Sequence, residues 1–308
     1  MPVTASPGAR SAFHRTPTSA STRPDAAPAD GDFEAWVVSG TWLTAEGRTL
    51  PVMPQRIGEV LRLAADPQLE IRPLVDLVSR DQALTARVLR LANVAASAPL
   101  REVTSVQQAV VRVGTSGVRN AVLSACYASW AQPAGLHGED GVNHAEHGLA
   151  TGMVARLVAP LAAMDPDEAF VLGLIHDIGK LLLLKLRAEH VRRAHATPAA
   201  SEVARVVAER HAEVGGLAMQ YWGLPGALRD PIRWHHDPLE ATANQEAAAL
   251  AYTANQLSHL FGFGVPARDA VAILDDPICL TLGVTPDWLT DVTARAPGLL
   301  DDARQALA

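Results

Sequence analysis

Cysteine is nearly missing: the 308 residues hold two, Cys126 and Cys279. Two thiols cannot build a disulfide framework or a Cys-rich zinc module. A chain without disulfides fits a reducing, cytoplasmic compartment. Lysine is as scarce, with Lys180 and Lys185 alone. The Arg- and Ala-rich usage that replaces it is a bacterial, GC-rich coding habit and says little about function. No stretch reaches the roughly 18–20 uninterrupted apolar residues of a membrane span. Arg, His or Gly breaks each long run, so no membrane association is expected. The N-terminus lacks the apolar core of a secretory signal. It is Arg-bearing and Ser/Thr-rich like an organelle transit peptide, but acids arrive at Asp25 and no amphipathic period is evident. Internal repeats and heptad arrays are absent as well.

What is present has globular proportions, 48% hydrophobic and 19% charged. The length suits one large domain or two modest ones. It can bury roughly 70–75% of the surface of the unfolded chain, so the core needs no covalent staple. Net charge is −7 and pI about 5.9, which argues against a basic nucleic-acid surface over the whole chain. The charge is uneven. Residues 50–131 carry nine arginines against six acids, a net of +3, whereas 132–308 carry thirteen basic and twenty-two acidic side chains, a net of −9.

Periodicity divides the chain. Residues 1–32 are rich in Pro, Ala, Ser and Thr and cannot repay their ordering entropy, so they read as a disordered tail. Residues 33–49, with Trp36, Val37, Val38, Trp42 and Leu43, read as an N-terminal clip or short strand. Trp36 and Trp42 serve it as core contacts or as docking points. From Pro54 the period is helical: Ile57, Val60, Leu61 and Ala64 share a face. Pro73 opens a helix burying Leu74, Leu77 and Val78, and Leu84, Val88, Leu91 and Ala92 make the next stripe. Thr104 or Ser105 caps another helix, Gly114 stops it, and a further one runs from about Ser116 to Trp130. This N-terminal helical bundle spans 50–132. Gly135, Gly138 and Gly141 mark a linker. A second helical bundle follows over 143–262. Its helices are expected at 143–162, from Asp165 through Phe170, Leu174 and Ile178 toward Leu186, and at 201–222, 226–236 and 240–261. Asp165-Pro166-Asp167-Glu168 is a strong helix start. Shorter C-terminal helices, at 266–274, 286–294 and 297–307, occupy 266–308. The fold class is all-α, one helical bundle packed on another and covering its cavity.

Nine of the eleven histidines lie between His137 and His236. Leu174-Ile175-His176-Asp177-Ile178-Gly179-Lys180 is the most informative segment. Adjacent His and Asp in an apolar helix are costly to bury unless paired or metal-bound, and both side chains are good ligands for Fe, Mn, Zn or Ni. Gly179 costs about 1 kcal/mol of helix propensity and leaves room for another group to approach. Lys180, one turn after His176, faces the same way and can meet a phosphate. His147, His211 and the His235-His236 pair each lie on a different expected helix, as the ligands of a bundle metal centre do. His211 is followed one turn later by another small residue, Gly215. A single buried His is more often a hydrogen-bonded core residue, and Lys180 can be an exposed last-turn cation. It is the joint pattern that argues for a site. His137, His144, His190, His195 and His259 read as solvated or loop residues.

These motifs resemble the HDOD domain family, a branch of the HD superfamily of metal-dependent phosphohydrolases related to HD-GYP domains. The likeness starts at Leu50-Pro51-Val52-Met53-Pro54. It continues through Arg80-Asp81-Gln82-Ala83-Leu84-Thr85, Leu89-Arg90-Leu91-Ala92-Asn93, Thr104-Ser105-Val106-Gln107-Gln108-Ala109 and Val113-Gly114. His147-Gly148-Leu149-Ala150, the His176-Asp177 segment, Tyr221-Trp222-Gly223-Leu224-Pro225 and Trp234-His235-His236 complete it. About 50–262 is covered. The resemblance implies that 50–132 is the N-terminal part of the HDOD domain and 143–262 the HD-like bundle. It implies metal ligands at His147, His176, Asp177, His211, His235 and His236, with Asp177 and Lys180 as catalytic residues in an enzyme. A later helix ends the family pattern with Asp; here that place reads Asn255, which can coordinate through its carbonyl but brings no charge. The Gly-Tyr-Pro signature after the His pair is replaced by Asp237-Pro238-Leu239-Glu240.

Two functions follow from the resemblance. One is a bacterial regulatory module of signal transduction, possessing an HD-like metal-binding centre and working through a signalling partner protein or nucleotide contacts. The other is an active metal-dependent phosphohydrolase on a nucleotide or cyclic dinucleotide. No receiver, cyclase or sensor pattern is read in the chain, so the input is expected from a partner chain or a small ligand. Residues 73–93, with Arg87 and Arg90, also fit a helix-turn-helix. Solvated arginines over a buried Leu84-Val88-Leu91 face account for the same pattern, so DNA is not expected as a partner.

Overall fold

The structure, a computed structural model, describes residues 32–40, 42, 71–80, 82–94, 103–131, 138–263 and 268–307. Among them every regular element is helical, as expected. The tail over 1–31, the segment Leu50–Pro54, the helix expected around Ile57–Ala64 and residues 132–137 of the expected linker lie outside the described residues.

Residues 33–39 form no strand. They make a two-turn helix, α1 (Phe33–Ser39), which Asp32 starts by accepting from the Ala35 amide and Gly40 ends at φ 64°. The chain then folds back, and the Trp42 indole donates to the Val37 carbonyl at 2.8 Å. Trp42 is 1% exposed, so it clips the core and is no docking point.

Among the described residues the N-terminal bundle contributes α2 (Ile71–Ser79), α3 (Gln82–Val94) and α4 (Val106–Ala131). Ser105 accepts from the Gln108 amide at 3.2 Å, and the Gln108 side chain accepts from the Thr104 amide at 2.8 Å. That exchange satisfies two of the amides a helix start leaves open. Gly114 ends the first helical stretch as expected; at φ 74°, ψ 174° its backbone is not helical, and a second stretch runs on across this kink to Ala131, the two together making α4. On α3 Val88 is fully buried while Arg90 is exposed, as the solvated-arginine account of that segment requires.

The second bundle begins earlier than expected. α5 (Gly138–Val158) takes in Gly138 and Gly141, so these glycines are helical and not part of a linker. It ends at a 3-10 turn, Ala159–Ala162, because Pro160 has no amide hydrogen with which to continue. α6 (Pro166–Ile175) starts as the sequence predicts, with Asp165 accepting from the Asp167 and Glu168 amides at 2.9 and 3.1 Å. It does not run on toward Leu186. The helix breaks at His176-Asp177, where Asp177 sits at φ −94°, ψ 15°, and α7 (Ile178–Ala194) starts afresh. α8 (Ala200–Tyr221), α9 (Gly226–Trp234) and α10 (Gln245–Leu260) follow, so α9 stops just before the His pair. α11 (Ala270–Leu274) and α12 (Pro277–Leu282), the latter not foreseen, lead to α13 (Pro286–Leu307). α13 joins the two segments expected at 286–294 and 297–307. Pro297 lies inside it, and buried Val292 and Ala296 hold the turn before that proline to the body.

One hydrophobic core runs through both bundles. Val78, Val88, Val118 and Val122 from the first are continuous with Leu174, Ile178, Leu181, Val214 and Ile232 from the second. A second cluster, including Val154, Leu250, Leu257, Ile273 and Leu289, seats the C-terminal helices under α5 and α10. α5 and α6 contribute to both clusters, Leu149 and Leu174 to the first and Val154 and Ala169 to the second.

Candidate metal centre

The break after Ile175 is what makes the His-Asp step usable. Neighbouring residues in an unbroken helix point about 100° apart and cannot face one centre. With His176 closing α6 and Asp177 opening α7, His176 Nε2 lies 3.4 Å from Asp177 Oδ2. Both side chains are buried, at 0% and 1% exposure.

The helix carrying His211 comes in close beside this turn. A Cβ on Gly179 would lie 1.8 Å from the His211 carbonyl oxygen and 2.9 Å from the Gly215 amide nitrogen. Any larger residue at 179 would hold α8 away from α7. The small residues expected to make room for another group do so here, for backbone.

Six side chains from α5, the α6–α7 turn, α8 and the end of α9 converge. Asp177 is their hub. Its Oδ2 lies 3.4 Å from His147 Nε2 and 2.6 Å from Lys180 Nζ. Its Oδ1 lies 3.1 Å from His211 Nε2 and 3.6 Å from His235 Nε2. The donor atoms form two adjoining groups that share Asp177: His147, His176 and Asp177, and Asp177, His211, His235 and His236. Each group is tight enough to hold an ion.

Tautomers sharpen this reading. His176 Nδ1 lies 2.8 Å from the Gly173 carbonyl, His211 Nδ1 2.8 Å from Val207 O, and His235 Nδ1 2.7 Å from Ile232 O. His147 Nδ1 meets the Phe263 carbonyl. A carbonyl only accepts, so in each neutral ring the proton sits on Nδ1 and Nε2 keeps its lone pair. Those lone pairs face one another: His147 and His176 Nε2 are 3.3 Å apart, and His211 and His235 Nε2 3.3 Å; His236, whose Nδ1 meets no carbonyl among the described residues, brings its Nε2 to 2.9 Å from His211 Nε2. Asp177 Oδ1 and Asn255 Oδ1 are buried with no hydrogen-bond partner among the described residues. Buried acceptors aimed at acceptors repel unless a cation lies among them. The donor set, imidazole with one carboxylate and no thiolate, fits a divalent transition metal.

Electrostatics agree. Burial drives the His176 and His235 pKa values down and keeps the rings neutral. His236, at the exposed rim, is pushed down to about 3 by partial burial of its ring and by His235 and His211. Burial works against the Asp177 charge, yet its surroundings, with the Lys180 ammonium 2.6 Å away, hold its pKa well below the usual carboxylate range.

The structure thus brings together His147, His176, Asp177, Lys180, His211, His235 and His236. Asn255 is buried on α10 one turn before His259, and the His259 ring lies 5.4 Å from the His147 ring. Sequence reasoning placed His259 in solvent; its four-residue spacing from Asn255 was the available signal. His190 was also misplaced. It is 4% exposed and packs against Phe33 and Trp36, away from the centre. Tyr127 on α4 was missed altogether, and nothing in its local sequence marks it. It is 3% exposed, its ring edge lies against Gly148 beside His147, and its hydroxyl finds no partner among the described residues.

Residues 50–238 match the HDOD domain family model, about three-fifths of the chain. The chain belongs to the HDOD domain family. A solved protein of Shewanella amazonensis SB2B, provisionally named a phosphohydrolase, is 25% identical, with a TM-score of 0.64 over 87% of this chain and 98% of that one. An HDOD domain protein of unknown function from Geobacter sulfurreducens shares the fold, with a TM-score of 0.69 at 21% identity over 89% of this chain and 97% of that one. An uncharacterized protein of Treponema pallidum (strain Nichols) is 26% identical over 199 residues, 61% of this HDOD chain and 38% of that protein. The chain therefore spans well under half the length of that relative. Among the described residues, no helix of this HDOD protein is long and apolar enough to cross a membrane.

Proposed function

We propose that this chain is a cytoplasmic signalling protein of the HDOD family whose HD-like centre holds divalent metal in two adjoining positions bridged by Asp177. The observation that carries this is the set of Nε2 lone pairs turned on one another around a buried carboxylate. His147, His176 and Asp177 would hold one ion, and Asp177, His211, His235 and His236 the other, with the Asn255 carbonyl as a further neutral ligand. The backbone carbonyls at Gly173, Val207 and Ile232 fix the rings in the ligating tautomer. Signal output would pass to a partner protein, with a nucleotide or cyclic dinucleotide as the ligand class that suits a cationic centre.

The second reading, a metal-dependent phosphohydrolase, is favoured by Lys180. Its ammonium sits 2.6 Å from Asp177 and its side chain is 23% exposed, so it can meet a phosphate arriving from the rim. A bound divalent ion supplies Lewis acidity there, polarising a phosphoryl oxygen and making water a better acid. Asp177 orients the donor set, and the apolar walls around Ile175 and Ile178 keep bulk water out. Asn255 in place of a carboxylate removes one negative charge and weakens the cation site, which is why signalling leads.

Metal analysis of the purified full chain after incubation with Mn or Fe tests the centre. Near-stoichiometric metal in the wild type, lost in Asp177→Ala with helicity retained, is the expected result. Less than about a tenth of an equivalent in the wild type would overturn it. A phosphodiesterase activity abolished by Asp177→Ala would promote the second reading to first.

A further inference from the structure

The chain has two lysines, and they sit in opposite surroundings. The Lys180 ammonium donates to Asp177 Oδ2 at 2.6 Å, so its nitrogen is committed to the centre. Lys185, further along α7, makes no ion pair among the described residues. Its Nζ lies 5.3 Å from the ring centre of Trp130, which is 7% exposed. Trp130 occupies the last turn of α4, the final helix of the N-terminal bundle. Its ring also meets that of Trp222, the residue that closes α8, at 6.4 Å and 69°. Lys185 and Trp222 therefore clasp the end of the N-terminal bundle to the HD-like bundle, through one cation–π contact and one edge-on aromatic contact.

Lys185 is half-buried, and its ammonium exchanges water for an aromatic face with no counter-charge beside it. Burial of that kind favours the neutral amine and moves the Lys185 pKa down. A neutral lysine carries the lone pair of a nucleophile, whereas an ammonium held against a carboxylate does not. We propose that Lys185 is a modification site, acylated by an acyl phosphate, and that acylation there loosens the clasp between the two bundles. The ammonium first gives a proton to water. Its nitrogen then attacks the carbonyl carbon of the acyl phosphate, and the new C–N bond forms as the C–O bond to the phosphate breaks. The departing phosphate takes a second proton from the nitrogen. The amide that results keeps one hydrogen and no charge, so the cation–π contact with Trp130 is lost and the acyl group must find room beside the ring. The proposal stands on the junction of the bundles and does not depend on the metal centre.

Full-length wild type, Lys185→Arg and Lys185→Gln test it, with acetyl phosphate as the probe. Mass spectrometry follows acetylation of each lysine at neutral pH, in the folded chain and in guanidinium chloride. Lys185 should react about tenfold faster than Lys180 in the folded chain and at a similar rate in the unfolded one, because only the fold separates the two amines. Lys185 should also react faster folded than unfolded, which an ordinary exposed lysine would not do. Hydrogen exchange over 118–131 should rise once the wild type is acetylated. Lys185→Gln should reproduce that rise without acetyl phosphate, and Lys185→Arg, which keeps a cation over the ring, should not. Equal rates at the two lysines of the folded chain, or a rate at Lys185 no higher folded than unfolded, would overturn the modification site. Unchanged exchange over 118–131 with Lys185 fully acetylated would overturn the loosening of the clasp.

Discussion

Asp177 has two oxygens in different company, Oδ2 toward His147, His176 and Lys180, and Oδ1 toward His211 and His235. Without metal, the Lys180 ammonium is the cation closest to its charge. Replacing Lys180 with Met should destabilise the metal-free protein by about 1–2 kcal/mol, less than a fully buried pair because the ammonium is partly solvated. With Mn bound, the ion supplies the charge and the difference should shrink. Urea denaturation of both proteins, with and without Mn, checks this; an equal loss in the two states would contradict it. The imidazoles make a pH prediction. His176 and His235 are held below 6.5 in the folded chain. Above that value neither folded nor unfolded protein carries their protons, and stability has its full value. Below it the unfolded chain takes up protons that the folded chain refuses, so stability falls, down to about 3 where His236 itself protonates. Asp177, also held low, acts in the same direction below 3.8. The urea midpoint of metal-free protein should therefore drop steadily from about pH 7 to about pH 4.5. A flat or rising midpoint over that range would count against neutral buried rings.

Between elements, the deciding contact is the crossing of α7 and α8 at Gly179. A methyl group there would sit 1.8 Å from the His211 carbonyl, with backbone on the receiving side that cannot swing away. Gly179→Ala should cost about 3 kcal/mol or more and displace His211 from Asp177, so metal content should fall together with stability. Gly298 on α13 is the control, with open space around its Cα. Gly298→Ala should stabilise by about 0.5–1 kcal/mol through helix propensity. Helix α1 makes a different kind of contact. Phe33 is fully buried and meets the His190 ring at 5.6 Å, and Glu34 pairs with Arg205 on α8. Phe33→Ala should release α1 locally, raising hydrogen exchange over 33–39 while leaving metal content unchanged. Loss of metal in that variant would tie the strap to the centre. At this scale the helix starts were legible in the sequence, because caps act within four residues: Asp165 and Ser105 both cap as read. The break at 176–177 was not. Its surroundings have the apolar periodicity of an unbroken helix, and the turn is held by contacts with α5 and α8, far away along the chain.

Across the whole molecule, both bundles share one core, with Val78 and Val122 continuous with Leu181 and Val214. The two should therefore unfold together. Calorimetry of the metal-free chain should show a single cooperative transition, and two separated transitions would mean the halves are independent. The sequence by itself determined the helical class, most helix starts and the chemical identity of the candidate ligands, since those follow from side-chain type and from patterns a few residues long. Tertiary structure alone decided that His147, His176, Asp177, His211 and the 235–236 pair face one point, that Asp177 is shared by two donor groups, and that His259 lies beside His147. The reason is distance along the chain: residues dozens of positions apart meet only because helices cross at backbone contact, and no local propensity encodes a crossing.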